Sequence, residues 1–153
     1  MKKNIKIIYQ YDGSKFSGFQ RQKLQKTVQG EIEKIIKNTF SQEINMISSG
    51  RTDKGVHAYE QVSNFFIDKN IPIEPIKRQL NKSLKGEIQI LAINEVSDTF
   101  NARFDAKSRT YLYIMKLEDK ITPFESSYVT PIAKSIEVEK FQKIMDGFIG
   151  IHN

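Results

Sequence analysis

The residues best suited to chemistry lie at 49–58, reading SGRTDKGVHA. A single carboxylate, Asp53, directly precedes Lys54, follows Arg51 by two positions and is followed by His57, with glycines at 50 and 55. Glycine tolerates positive φ, so Gly50 and Gly55 permit a short, sharp loop that turns its polar side chains outward. Neighbouring cations favour the charged form of a carboxylate, and a covalent nucleophile has to stay ionised. The same charges also suit an ordinary solvated hairpin tip, so the loop alone leaves both readings open.

The composition removes several other chemistries. The chain has no cysteine, hence no disulfide, thiolate metal site or cysteine nucleophile, and only His57 and His152 as imidazoles, so neither a metal nor a cofactor is expected. Its 153 residues have the length of one domain, 1–153, with enough apolar residues for a continuous core. A formal net charge of +6 and a pI near 9.4 favour an acidic partner, nucleic acid being the usual one. Much of the excess is lysine, at positions 2, 3, 23, 26, 34 and 37, which also serves as generic solvated surface. No apolar run has the length of a membrane span and the opening residues do not form a signal peptide, so a cytoplasmic protein is expected.

The elements that must carry the loop follow from periodicity. Residues 5–11 alternate as a strand, with Ile5, Ile7, Tyr9 and Tyr11 on one face. A polar loop, 14–26, then carries Phe16 and Phe19 among Gln20, Arg21 and Gln22; the phenylalanines are expected to anchor it, and the amides and cation are possible base or phosphate contacts. Thr27 is the expected N-cap of a helix whose stripe is Val28, Ile32, Ile35, Ile36 and Phe40. Strands over 44–48 and 61–67 flank the charged loop. A second helix follows from Ile76, Leu80 and Leu84, closed by Lys85 and Gly86, and then a strand over 87–96 that reads as buried on both faces. The series βαββαβ specifies an α+β fold of ferredoxin-like type, an antiparallel sheet with both helices on one face and the other face open. Beyond it, residues 108–117 (SRTYLYIMKL) predict a fifth strand with Tyr111 and Tyr113 on one face, 122–134 reads as irregular, and a C-terminal helix begins near Glu137 with Phe141, Ile144, Met145, Phe148 and Ile149 as its stripe.

Four stretches carry a resemblance: GRTDKGVHA (50–58), YDGSKFSGFQRQ with TVQGEIE (11–22 and 27–33), FNARFDA (100–106) and RTYLYI (109–114). In this order they resemble the motifs of the TruA-type tRNA pseudouridine synthases across nearly the whole chain. Lys54, Phe19 and Asn101 depart from that pattern, where the family commonly has alanine, tryptophan and histidine. The resemblance implies isomerisation of uridine to pseudouridine in the anticodon stem and loop of tRNA, without cofactor or metal. It also implies Asp53 as nucleophile, Tyr111 packed on the target base, and Arg51 helping to hold the flipped nucleotide out of the stack. Lys54, His57, Gln20, Arg21, Arg103 and Arg109 are further candidate RNA contacts. It further implies that the chain is an N-terminal portion, half of the pseudouridine synthase fold, ending at GIHN (150–153), and that the full-length form is a homodimer. The alternative is a noncatalytic RNA-binding remnant of the same fold, recognisable by salt-sensitive tRNA binding without isomerisation.

Overall fold

The computed structural model describes residues 1–152, so the last residue of the 150–153 stretch lies outside it. The chain divides into two compact units, Met1–Arg109 and a second from Thr110 onward.

In the first unit β1 (Lys2–Tyr11), α1 (Val28–Phe40), β2 (Ile47–Ser48), β3 (Ala58–Asp68), α2 (Ile73–Ser83) and β4 (Ile88–Val96) follow in the expected βαββαβ order. The sheet runs β2-β3-β1-β4, antiparallel throughout, with β1 pairing Ile5 to Phe65 on one side and Ile7 to Ile93 on the other. Strand parity then fixes the two faces. Ile5, Ile7, Tyr9, Phe65, Ile67, Ile88 and Ile90 are buried together with Val28, Ile32 and Ile36 of α1 and Ile76 and Leu80 of α2, whereas Lys6, Ile8 and Gln10 on the opposite face keep partial exposure. Thr27 caps α1 by accepting a hydrogen bond from the Gly30 N–H at 3.2 Å.

Three expectations for this unit change. β4 is buried on one face only: Ile88, Ile90 and Ile93 point inward while Leu91 is exposed on the face away from the helices. β2 is two residues long, not five; Ile44 and Met46 are buried, but the Met46 N–H donates to the Glu33 carboxylate of α1 at 3.0 Å instead of joining the ladder. Of the two glycines in the charged loop only Gly55 takes a positive φ, +85°.

In the second unit β5 (Met115–Leu117) pairs in parallel with β6 (Thr130–Ile132), followed by α3 (Val138–Asp146). The predicted fifth strand is thus confined to its last three residues. Alternation of Tyr111 and Tyr113 supplies the pattern of a strand, but a strand exists through its ladder, and residues 110–114 pair with no strand among the described residues; Ile114 O, accepting from the Thr130 N–H at 2.7 Å, begins the short parallel pair. The stretch 122–134, expected to be irregular, contains β6, since a short edge strand tolerates Pro131.

Candidate active site

The charged loop spans the gap between β2 and β3, and its base is held first. The Gln61 side chain, buried on the core face at the start of β3, accepts from Ser49 Oγ at 2.7 Å and donates from Nε2 to Gly50 O at 3.0 Å. Arg109 adds a fork, with Nε and Nη2 donating to Ser49 O at 2.9 and 2.5 Å. Gln61 therefore uses its amide to satisfy backbone and hydroxyl groups where the ladder ends.

The sides of the loop are held by the end of β1 and the segment that follows it. Tyr11 OH shares a hydrogen bond with Thr52 Oγ1 at 2.8 Å, and the Phe19 N–H donates to Thr52 O at 3.0 Å. Burial pushes the Tyr11 phenol up, partly offset by the hydrogen bonds to Thr52 and Gln61, so it stays a neutral hydroxyl through the physiological range. Gly13 lies so close to Val56 that a Cβ there would stand 2.0 Å from Val56 O. The Gly13 N–H donates to His57 Nδ1 at 3.1 Å, and Asp12 Oδ1 lies 3.1 Å from the same nitrogen. A backbone N–H can only donate, so Nδ1 is the acceptor of the Gly13 bond. Within the loop the Val56 N–H donates to Asp53 O at 3.2 Å, closing the turn at Gly55.

At the tip, Asp53 is exposed and its carboxylate forms no hydrogen bond or ion pair among the described residues. Arg51 and Lys54 are exposed as well and form no ion pair with it. The expected bias from flanking cations is thus not made by direct contact. The arrangement offers one open carboxylate on a loop whose backbone is fixed at its base and on one side.

The other sequence-derived candidates fall in different settings. His57 is turned onto Asp12 and Gly13, and Arg109 onto the loop base. Arg21 Nη1 donates to buried Glu33 Oε2 at 2.8 Å, while Gln20 is exposed and makes no hydrogen bond among the described residues. Arg103 stacks its guanidinium 5.5 Å from the Phe104 ring centre. Tyr111 is exposed in the second unit. Phe16 and Phe19 are buried, as anchors of their loop should be. The sequence reading missed Tyr11, Thr52 and Gln61 as supports. Gln61 and Ser63 carried a signal, since both are polar at core parity in β3, and buried polar groups require partners.

No described helix is long and apolar enough to cross a membrane, and no group of three or more potential metal ligands occurs among the described residues. Residues 7–105 match the family described as tRNA pseudouridine synthase. The chain is 37% identical over 151 residues to tRNA pseudouridine synthase A 2 of Bacillus cereus (strain ZK / E33L), covering 98% of this chain and 62% of the relative. It is 39% identical over 143 residues to tRNA pseudouridine synthase A of Borrelia turicatae (strain 91E135), covering 94% and 58%. The corresponding figures for tRNA pseudouridine synthase A 2 of Clostridium perfringens (strain 13 / Type A) are 34% over 151 residues, covering 99% and 62%. The chain thus spans about six tenths of the length of these curated relatives. Its matched segment takes in both the loop that bears Asp53 and the segment that braces it, and the chain belongs to the tRNA pseudouridine synthase family.

Proposed function

We propose that this chain carries the nucleophile and part of the RNA surface of an enzyme that isomerises uridine to pseudouridine in the anticodon stem and loop of tRNA. The observation that carries the reading is the open carboxylate of Asp53 on a loop whose neighbouring residues are tied down. In this reading the target uridine leaves the stack at a cost of about a few kcal/mol, and Arg51 helps to hold it out. Asp53 then adds either to the ribose carbon or to the pyrimidine ring. The bond from the ribose to N1 breaks, the uracil turns, and a bond forms from the ribose to C5. C5 loses its proton, N1 ends protonated, and the carboxylate is released, so the reaction needs no redox partner.

By its place in the RTYLYI motif, Tyr111 is assigned to pack on the target base and to assist proton removal at C5. Gln20, Lys54 and Arg103 are assigned to RNA contact, with Arg21, His57 and Arg109 serving RNA only as far as their structural partners allow. The excess of positive charge supports a polyanionic substrate. A homodimer of the full-length form and a cytoplasmic location belong to the same proposal.

Asp53→Asn tests it by removing the charge at nearly constant shape. Pseudouridine formation on tRNA, followed by release of tritium from uracil C5, is expected to fall to background in the variant while tRNA binding persists. Undiminished turnover would end the assignment of Asp53 as nucleophile. Tight binding without turnover by the unaltered protein would favour a noncatalytic RNA-binding role.

A further inference from the structure

Thr52, the residue immediately before Asp53, is tethered twice, to the last residue of β1 and to the segment that follows that strand. Its hydroxyl meets Tyr11 OH at 2.8 Å and its carbonyl accepts from the Phe19 N–H at 3.0 Å. Tyr11 is 5% exposed, its ring packs among Tyr9 and Phe19 with centroids 6.1 and 6.2 Å away, and its hydroxyl is the part that reaches out of the core to the loop. The ring and the hydroxyl therefore do separate work: the ring fills the sheet-helix interior, and the oxygen bonds the Thr52 side chain next to the carboxylate and the Gln61 amide that holds the loop base. We propose that Tyr11 is a positioning residue for Asp53, its hydroxyl holding Thr52 so that the carboxylate is presented at one height above the loop.

This inference rests on the reading of Asp53 as nucleophile. It adds a residue that touches neither substrate nor reacting atom. An unpaired carboxylate has no hydrogen bond of its own to orient it, so its position is inherited from the backbone beneath it. Reaction geometry is sensitive to displacements of about 1 Å, which cost on the order of 100-fold in rate. A hydrogen bond one residue away is thus enough to matter.

Tyr11→Phe removes the oxygen and leaves the ring. Tyr9→Phe is the matched control, because it deletes another buried phenol oxygen, bonded to Ser63 Oγ at 2.8 Å and not to the loop. In a turnover assay of the enzyme on tRNA, Tyr11→Phe is expected to lower kcat by about 10- to 100-fold with KM unchanged. Thr52→Val should reproduce the loss, Thr52→Ser should largely restore the rate, and the double variant Tyr11→Phe with Thr52→Val should be no slower than either alone. Independently of turnover, amide hydrogen exchange at Phe19 and Val56, whose N–H groups bond Thr52 O and Asp53 O, should be faster in Tyr11→Phe than in Tyr9→Phe.

Exchange at those two amides no faster than in the control overturns the proposal whatever the turnover. So does faster exchange accompanied by a kcat equal to that of the control. If Asp53→Asn retains activity, the nucleophile reading fails separately, and the exchange measurement still decides whether Tyr11 holds the loop.

Discussion

At Gly13 the absence of a side chain is a distance requirement. A Cβ would lie 2.0 Å from Val56 O and 2.4 Å from its carbonyl carbon, both backbone atoms that no rotamer change can move aside. Gly55 is the opposite case: a Cβ there would meet nothing within 4 Å, and the requirement is conformational, a φ of +85° that side chains other than glycine resist. The two substitutions to alanine should therefore differ in kind. Gly55→Ala should cost about 1–2 kcal/mol from the left-handed backbone alone, with the loop retained. Gly13→Ala forces two backbone segments apart, at about 1–3 kcal/mol, and detaches His57 from the Gly13 N–H. Urea unfolding midpoints would give the two costs, and turnover per folded molecule should drop further in Gly13→Ala than in Gly55→Ala. Equal turnover would show that the Gly13 contact does not govern the shape of the loop.

Between elements, buried polar side chains act as connectors, and this is where the sequence was least legible. Helix and strand positions came through because Val28, Ile32 and Ile36, or Ile5, Ile7 and Tyr9, repeat at the period of their element. Asn4 and Asn64 could not be understood the same way. Both are fully buried on the face of the sheet away from the helices, Asn64 Nδ2 donating to Asn4 Oδ1 at 2.9 Å. Together they bind the chain after β4: Asn4 donates to Ser97 O and Phe100 O, and Asn64 Oδ1 accepts from the Ala102 N–H at 2.9 Å. Periodicity marks such asparagines as solvent-facing, because the segment that covers them is distant in sequence, 93 and 96 residues from Asn4 and 36 and 38 from Asn64. The resemblance identified FNARFDA as a unit, but only the fold gives a reason for its place. Asn64→Ala should leave Asn4 Oδ1 and the Ala102 N–H without partners, costing about 1–3 kcal/mol. Limited proteolysis should then cut within residues 97–105 well before the sheet unfolds. A variant that resists cleavage there as well as the unaltered protein would mean that the asparagine pair does not hold the segment.

Across the whole chain, burial is distributed unevenly, and that sets which part can fold unaided. The hydrophobic core cluster lies between Ile5 and Ile93, Ala102 is the last buried residue along the described chain, and from Thr110 to residue 152 no residue is buried. The larger unit contains a complete four-stranded sheet with two helices on it, enough to bury a core by itself. The smaller one has a three-residue parallel pair and a helix whose Phe141, Ile144 and Met145 remain exposed, so it lacks the apolar burial that would offset its conformational entropy. Because the Arg109 fork to Ser49 O is within the larger unit, ending the chain after that residue keeps the loop base intact. Residues 1–109 alone are therefore expected to unfold cooperatively in urea with a midpoint close to that of the 153-residue chain, whereas a peptide beginning at Thr110 should show no cooperative transition. Circular dichroism measures both. Loss of the cooperative transition in residues 1–109 would show that the later residues supply stability the buried core does not, and the loop bearing Asp53 could then no longer be treated as a feature of a self-sufficient fold.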